Sequence, residues 1–114
     1  MRVYEGEDIL MRIYLNEDDK YHGRPVYHEI VDLLHKEKAD GVTVLRGICG
    51  FGGDSKVHTA SLLSLSKNLP IIIETIGKEE ELSKLRPKIE EIFTDGLIVI
   101  QQVHVAKYKT SKGQ

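Results

Sequence analysis

The chain has 114 residues, of which 40% are hydrophobic and 30% are charged, and its formal net charge is -2. This size fits one domain with a modest core, and we expect residues 1–114 to form it. With 16 basic against 18 acidic side chains, the composition gives no electrostatic reason to expect nucleic acid as a partner. The single cysteine, Cys49, excludes both an internal disulfide and a CxxC zinc site.

The N-terminus is too polar for a signal peptide, and the apolar stretches near Ile71 and Ile98 are too short to span a bilayer. A lone cysteine also suits a reducing compartment. These features together predict a soluble cytoplasmic protein.

The first half of the chain predicts a strand, a helix and a second strand. Residues 9–15 form an apolar run typical of a buried strand, and the polar residues 16–25 follow as a turn-rich segment. Apolar side chains at helical spacing predict a helix from Val26 to about Lys38. After the turn at Asp40-Gly41, residues 42–48 predict the second strand.

The second half repeats this order. Residues 57–67 are compatible with an extended arm or a short helix, whereas residues 69–76 are rich in β-branched side chains and predict a strand. Residues 78–93 carry a helical apolar stripe, but Pro87 lies within them and predicts a kink or a division of the helix. The last strand is predicted to begin at Gly96 and to continue by alternation through Val105.

The resulting order, β-α-β, loop, β-α-β, predicts an α+β protein with a ferredoxin-like βαββαβ fold. Two such units pack as a four-stranded antiparallel sheet with both helices on one face. The first, third and fourth strands carry apolar runs, so both faces of the sheet are predicted to be buried. Another copy of the chain is the simplest cover for the face without helices, and we therefore expect an oligomer.

The glycine-rich segment of residues 46–53 is the strongest functional signal. Its four glycines allow positive φ and a close approach of the backbone to a ligand, and free N–H groups in such a loop can bind an anion. Arg46 and Lys56 flank it with positive charge. The pattern is neither GxGxxG nor a Walker loop. The residues leave two interpretations open: contact with a phosphate or nucleotide, or a flexible interaction loop without a ligand.

Three other residues are candidates for the same site. Lys107 and Lys109 stand at alternate positions beyond the last predicted strand and point the same way, so both could reach a phosphate. A solvated basic tail explains them more simply. His58 follows the glycine-rich segment and is placed either to fold back over a ligand or to form a hydrogen bond within the loop.

Two weaker patterns suggest metal binding and catalysis. His28, Asp32 and His35 share one face of the first helix at positions i, i+4 and i+7, but no further residue completes a coordination shell. Cys49 lies in the glycine-rich segment, where a nucleophile would need a base and only His58 is near. A lone cysteine of this kind is usually a small packing residue.

The chain as a whole resembles the PII-like signalling proteins, most closely a bacterial and archaeal branch of uncharacterised proteins related to PII. Three segments carry the resemblance: residues 46–52 with His58, residues 69–74, and residues 95–99. The last of these, Asp-Gly-Leu-Ile-Val, is similar to the Asp-Gly-x-Ile-x-Val run that opens the last strand in PII proteins.

The resemblance implies a ferredoxin-like homotrimer whose sheets face inward and which binds ATP, ADP or AMP in clefts between subunits. It also implies a loop after the second strand that reports the nucleotide state to a partner, which would be a regulated membrane or cytosolic protein. No catalytic residue and no metal site are implied. The nucleotide-binding residues carried over by resemblance are Arg46, Gly47, Gly50, Phe51, Gly52, His58, Lys107 and Lys109.

The chain also departs from the PII pattern. PII has a phosphate-binding lysine directly after the Asp-Gly pair, where this chain has Leu97. The glutamine at the base of the PII loop has no clear counterpart after Gly47, and no tyrosine lies between Tyr27 and Tyr108. We therefore expect neither 2-oxoglutarate sensing nor uridylylation.

Three alternatives to a nucleotide-binding regulator remain at this point. One is a metal-binding trimer similar to the cation-tolerance proteins, with His28, His35 and His58 as ligands. Another is an enzyme that uses Cys49 or His58. The third is a protein-interaction module whose loop binds no ligand.

Overall fold

The chain folds into a four-stranded antiparallel sheet with two helices packed on one of its faces. The computed structural model describes residues 1–52, 57–59 and 68–110. Its elements in chain order are β1 (Arg2–Asn16), β2 (Lys20–Tyr21), β3 (Arg24–Pro25), α1 (Val26–Lys36), β4 (Val42–Arg46), β5 (Cys49–Gly50), β6 (His58–Thr59), β7 (Pro70–Gly77), α2 (Glu79–Ile92) and β8 (Leu97–Tyr108).

The strand order of the sheet is β4-β7-β1-β8, and each neighbouring pair is antiparallel. The two short pairs, β2 with β3 and β5 with β6, lie outside it. This arrangement confirms the predicted ferredoxin-like α+β fold. His58 and Thr59 form β6, and residues 60–67 of the ambiguous segment lie outside the described part of the chain.

The core lies between the sheet and the helices. Alternate residues of β1 point to opposite faces, and its odd-numbered apolar residues face α1 and α2. Ile13, Ile30 and Ile73 show how complete the burial is, since each is 0% exposed. The core members supplied by the sheet are Ile9, Met11, Ile13, Leu15, Ile71 and Ile73, and those supplied by the helices are Val26, Ile30, Leu34, Leu82, Leu85 and Ile89.

Helix α2 continues through Pro87, so the predicted division of the helix is wrong, whereas the predicted kink stays a prediction. Proline removes one backbone hydrogen bond and costs about 3 kcal/mol or more in a helix interior. Burial outweighs this cost, because Leu82 and Leu85 precede the proline, Ile89 follows it, and all three pack into the same core.

The first and last strands are longer than predicted, and their extra residues form a two-stranded ribbon. Strand β7 ends opposite Ile9, at Gly77. Residues 2–8 of β1 therefore pair with β8 alone, up to Tyr108. Lys107 consequently lies within the last strand, and the prediction that placed it beyond that strand is wrong.

The sheet face opposite the helices, here called the open face, is partly exposed. Its residues include the row Leu45, Ile72, Tyr14 and Leu97, which stand opposite one another across the four strands. Leu45 is 45% exposed and Leu97 is 62% exposed. In the described part of the single chain neither helix covers this face, and its predicted burial against another copy of the chain stays a prediction.

Candidate functional site

The glycine-rich segment packs against Pro70, the first residue of β7. The N–H of Gly47 donates a 2.7 Å hydrogen bond to the carbonyl of Pro70. A Cβ on Gly47 would lie 3.3 Å from the Pro70 ring, and one on Gly50 would lie 3.0 Å from it. Positive φ, which was predicted for the loop, does not occur at Gly47, Gly50 or Gly52. Close contact with the proline explains the first two of these glycines instead.

Regular structure continues further into this segment than predicted. Cys49 and Gly50 form β5 and pair with Thr59 and His58 of β6. This pairing closes the loop at its base. The backbone of His58 thus has a defined position. Its side chain lies outside what the structure describes, so its contact with a ligand stays a prediction. Lys56, predicted to flank the loop, also lies outside it.

Arg46 forms an ion pair at the base of the loop. Its Nη2 lies 2.9 Å from Oε1 of Glu17, and its Nε lies 3.3 Å from the same oxygen. The backbone N–H of Glu17 also donates to the carbonyl of Leu69, at 2.8 Å. The guanidinium is 53% exposed and remains accessible, but part of the positive charge predicted beside the loop is compensated by this carboxylate.

A cleft of about 390 Å³ lies beside the loop, here called the loop cleft. Phe51 and Gly52 line one side, and the Asp95-Gly96 turn with Leu97 lines the other. Phe51 is 68% exposed. Two of the predicted site residues thus border this cleft, and the position that carries lysine in PII proteins presents an apolar side chain to it. Its remaining lining residues are Tyr14, Leu15, Asn16, Pro70 and Ile71.

Lys107 borders a second cleft, of about 600 Å³, at the opposite end of the open face; we call it the ribbon cleft. Its Nζ lies 2.9 Å from Oδ2 of Asp40, a hydrogen bond that raises the pKa of the lysine. Thr43, Glu74 and Ile76 form part of the same cleft. Sequence reasoning had treated Asp40 only as part of a turn.

A buried carboxylate lies next to this cleft. Asp8 is 4% exposed, and its Oδ1 accepts hydrogen bonds of 2.8 Å from both Lys78 Nζ and the Tyr4 hydroxyl. Lys78 also donates to the Tyr4 oxygen. The hydrogen bond from Lys78 lowers the pKa of Asp8, against the opposing effect of burial, and Asp8 in turn raises the pKa of Lys78.

The tyrosine ring joins this group to Lys107. Lys78 Nζ lies 4.0 Å from the centroid of the Tyr4 ring, and Lys107 Nζ lies 5.5 Å from it, both within range of a cation–π interaction. The sequence analysis missed Tyr4 and Asp8. Their spacing of four residues would place them on one face of a strand, but no strand was predicted so near the N-terminus.

The predicted site residues do not meet within one chain. Lys107 contacts Asp40, which lies two residues before β4, whereas Arg46 is the last residue of that strand; a segment of this length spans at most roughly 20 Å. The glycine-rich segment and the lysine therefore occupy opposite ends of the sheet. Lys109 is anchored near Lys107 by a 2.8 Å hydrogen bond from its N–H to the carbonyl of Met1.

The helical histidines are not assembled into a metal site. His28, Asp32 and His35 are exposed, and no group of three or more His, Cys, Asp or Glu side chains able to hold a metal occurs in the described ranges. Cys49 is exposed in the single chain, so it does not pack into the core described above. Among the described residues, no helix is long and apolar enough to cross a membrane.

The chain is similar in sequence to the proteins of one family. The model of the DUF190 family, described as Uncharacterized ACR, matches residues 8–105. A UPF0166 protein from Methanocaldococcus jannaschii is 40% identical over 102 residues, which cover 89% of this chain and 94% of that protein. A UPF0166 protein from Aquifex aeolicus is 30% identical over 105 residues, covering 92% and 97% respectively.

Solved structures with the same fold are PII-like proteins. CPII, a nitrogen regulatory PII-like protein from Thiomonas intermedia bound to ADP, AMP and bicarbonate, has a TM-score of 0.62 at 18% identity, covering 91% of this chain and 92% of its own. A putative PII-like signaling protein from Thermus thermophilus has a TM-score of 0.59 at 16% identity, covering 92% and 93%. The predicted resemblance is confirmed: the chain belongs to the DUF190 family and has a PII-like fold.

Proposed function

We propose that this protein is a PII-like regulatory protein that binds an adenine nucleotide in clefts between the subunits of a homotrimer. The family and the fold support a PII-like role. The ADP and AMP bound to CPII support an adenine nucleotide as the ligand.

One observation carries the proposal: the predicted ligand-binding residues are divided between the two ends of an uncovered sheet face. The loop cleft lies at one end and the ribbon cleft at the other. Exposed apolar side chains such as Leu45 and Leu97 lie on the same face, at the end that holds the loop cleft. If subunits cover this face, the loop cleft of one can meet the ribbon cleft of its neighbour, and each complete site takes residues from two chains.

In this arrangement each half of the site has a distinct task. Gly47, Gly50 and Gly52 with Phe51 supply backbone close to the ligand, and Arg46 and His58 lie beside them. Lys107 and Lys109 of the neighbouring subunit supply positive charge for the phosphates, since an ammonium group forms short, charge-assisted hydrogen bonds to phosphate oxygens. These cations would compensate for the apolar Leu97 in the loop cleft.

Ligand binding would order the glycine-rich loop and so change the surface offered to a regulated partner protein. The loop already presents apolar side chains to solvent: Ile48 is 78% exposed, and Val57 is 64% exposed. The same observation favours a second candidate function, an interaction module whose loop binds a partner without any ligand.

Isothermal titration calorimetry with ATP, ADP and AMP tests the proposal. We expect wild-type protein to bind at least one of them, and Lys107→Met to bind it about tenfold or more weakly, as expected for the loss of a charged hydrogen bond worth roughly 1.5–3 kcal/mol. The control Lys84→Met removes the same charge from the exposed side of α2 and should bind like wild type.

Two results would contradict the proposal. Absence of binding heat and of any thermal shift with all three nucleotides at millimolar concentration would exclude the nucleotide and favour the ligand-free interaction module. Equal weakening by Lys107→Met and Lys84→Met would mean that the overall charge matters and that Lys107 has no specific role.

A further inference from the structure

The ion pair between Lys107 and Asp40 joins two parts of the chain that are 67 residues apart in sequence. Asp40 belongs to the turn before β4, and Lys107 belongs to the ribbon. Their side chains are 55% and 39% exposed, so both can be reached from solvent. The attraction between the two charges stabilises this exposed contact, and no surrounding packing among the described residues fixes the two side chains in place.

The charge of Lys107 is compensated by Asp40, because the neighbouring carboxylate Asp8 is already paired with Lys78. Lys78 has its own carboxylate, Asp8, at 2.8 Å, and the side chain of Asp8 is buried. Among the described residues, Asp40 is the acidic group in direct contact with the Lys107 ammonium. The Tyr4 ring, 5.5 Å away, adds a weaker attraction. Displacing Asp40 would therefore release the ammonium without disturbing the buried pair beside it.

We infer that Asp40 occupies the phosphate position at Lys107 and that a phosphate-bearing ligand must displace it. This inference rests on the proposed function, because it concerns the same lysine. Both residues border the ribbon cleft, so the exchange can take place where a ligand would enter. A phosphate group carries more charge than a carboxylate and offers more acceptor oxygens, so it can compete for the ammonium.

The exchange would also link ligand binding to the position of the ribbon. In the absence of ligand, the Lys107–Asp40 pair ties the ribbon to the turn before β4. When a phosphate binds the Lys107 ammonium, the contact with Asp40 is lost, and the ribbon then contacts the ligand in place of the turn. Asp40 thus competes with the ligand for the Lys107 ammonium and raises the concentration of phosphate-bearing ligand that is needed for binding.

The test compares Asp40→Asn with wild type by calorimetry, using ADP and adenosine as the two probes. Asparagine keeps the shape of the side chain but removes the competing charge, so ADP should bind about two- to fivefold more tightly, the range expected for an exposed ion pair. Adenosine lacks phosphate and should bind both proteins equally. Asp32→Asn removes the same charge from the exposed surface of α1 and should leave both affinities unchanged.

The dependence on Lys107 is tested by repeating the substitution in a Lys107→Met background, where the gain for ADP should disappear. The inference is overturned if Asp40→Asn fails to tighten ADP binding, if it tightens adenosine binding as well, or if the gain persists without Lys107. In these cases wild-type binding of ADP still supports the proposed function. If neither wild type nor Asp40→Asn binds ATP, ADP or AMP, both the inference and the proposed function are overturned.

Discussion

At the scale of single residues, the contact between the glycine-rich segment and Pro70 explains why side chains are missing there. A Cβ on Gly50 would lie 3.0 Å from Cγ of Pro70, whereas a Cβ on Gly52 would meet no atom within 4 Å. The proline ring is rigid and begins a core strand, so it cannot easily give way. A methyl group would therefore be crowded at Gly50 and would have free space at Gly52, although both glycines belong to one motif.

We predict that Gly50→Ala is about 1–3 kcal/mol less stable to unfolding than Gly52→Ala, which is the usual cost of overpacking. Comparing the two substitutions cancels the entropy that alanine removes from the unfolded chain. Urea unfolding followed by circular dichroism measures the difference. Equal stability of the two variants would show that the loop moves away from Pro70 without cost.

At the scale of elements, the ribbon formed by residues 2–8 of β1 with β8 has no third strand beside it in the described part of the chain. A two-stranded ribbon is marginally stable in water without a third strand or a packed helix. Side-chain pairs contribute to holding it: Nε2 of His104 lies 2.7 Å from Glu5, and its Nδ1 lies 3.3 Å from Glu7. These carboxylates, Glu5 first, raise the pKa of His104 above its usual value near 6.5.

The raised pKa predicts a pH-dependent contribution to stability with a definite sign. Because protonated His104 is favoured in the folded state, its contribution is fully present below about pH 6.5, the ordinary value for histidine, and is lost as the pH rises through the folded-state pKa. His104→Gln should therefore reduce the difference in melting temperature between about pH 5.5 and about pH 8, values chosen to bracket the histidine range. Thermal unfolding of wild type and variant measures it.

The matched control is His28→Gln, which removes an exposed histidine from α1 and should keep the wild-type pH difference. An NMR titration of the His104 ring provides a direct check. A midpoint at or below the ordinary histidine value would contradict the assignment of the ribbon carboxylates as its partners.

At the scale of the whole molecule, the open face suits association with other copies. Across it, the apolar row containing Leu45 and Leu97 lies next to the ion pair of Arg12 with Glu74, whose Nε to Oε2 distance is 2.7 Å. An exposed apolar surface rimmed by charges is typical of protein interfaces. On the helix side the core residues are buried, although Val44 and Ile100 remain 39% and 47% exposed there.

We predict that wild-type protein is trimeric at micromolar concentration and that Leu45→Glu dissociates it. Leu45 is 45% exposed in the single chain, so a charge there should oppose association much more than folding. Ser83→Glu adds the same charge on the exposed side of α2 and should remain trimeric. Size-exclusion chromatography with light scattering distinguishes these outcomes, and a monomeric wild type would remove the basis for a site shared between subunits.

The sequence allowed much of the fold to be predicted but only part of the candidate site. Apolar alternation and helical spacing placed β7 and α1 within two residues of their observed ends. The ribbon was missed because residues 2–8 are mostly polar and their strand character comes from pairing with β8. The division predicted at Pro87 does not occur, because the burial of Leu82 and Ile89 on either side of the proline outweighs its local cost.

By itself, the sequence determined the order of the four sheet strands and the two helices, the family and the two segments that carry the nucleotide hypothesis, because periodicity and short motifs are local properties of a chain. Only the tertiary structure decided that these segments lie at opposite ends of one sheet, that Lys107 meets Asp40, and that Asp8 is a buried carboxylate. Such contacts depend on strand order and register, which bring residues together over separations of 67 residues or more. No local pattern specifies them.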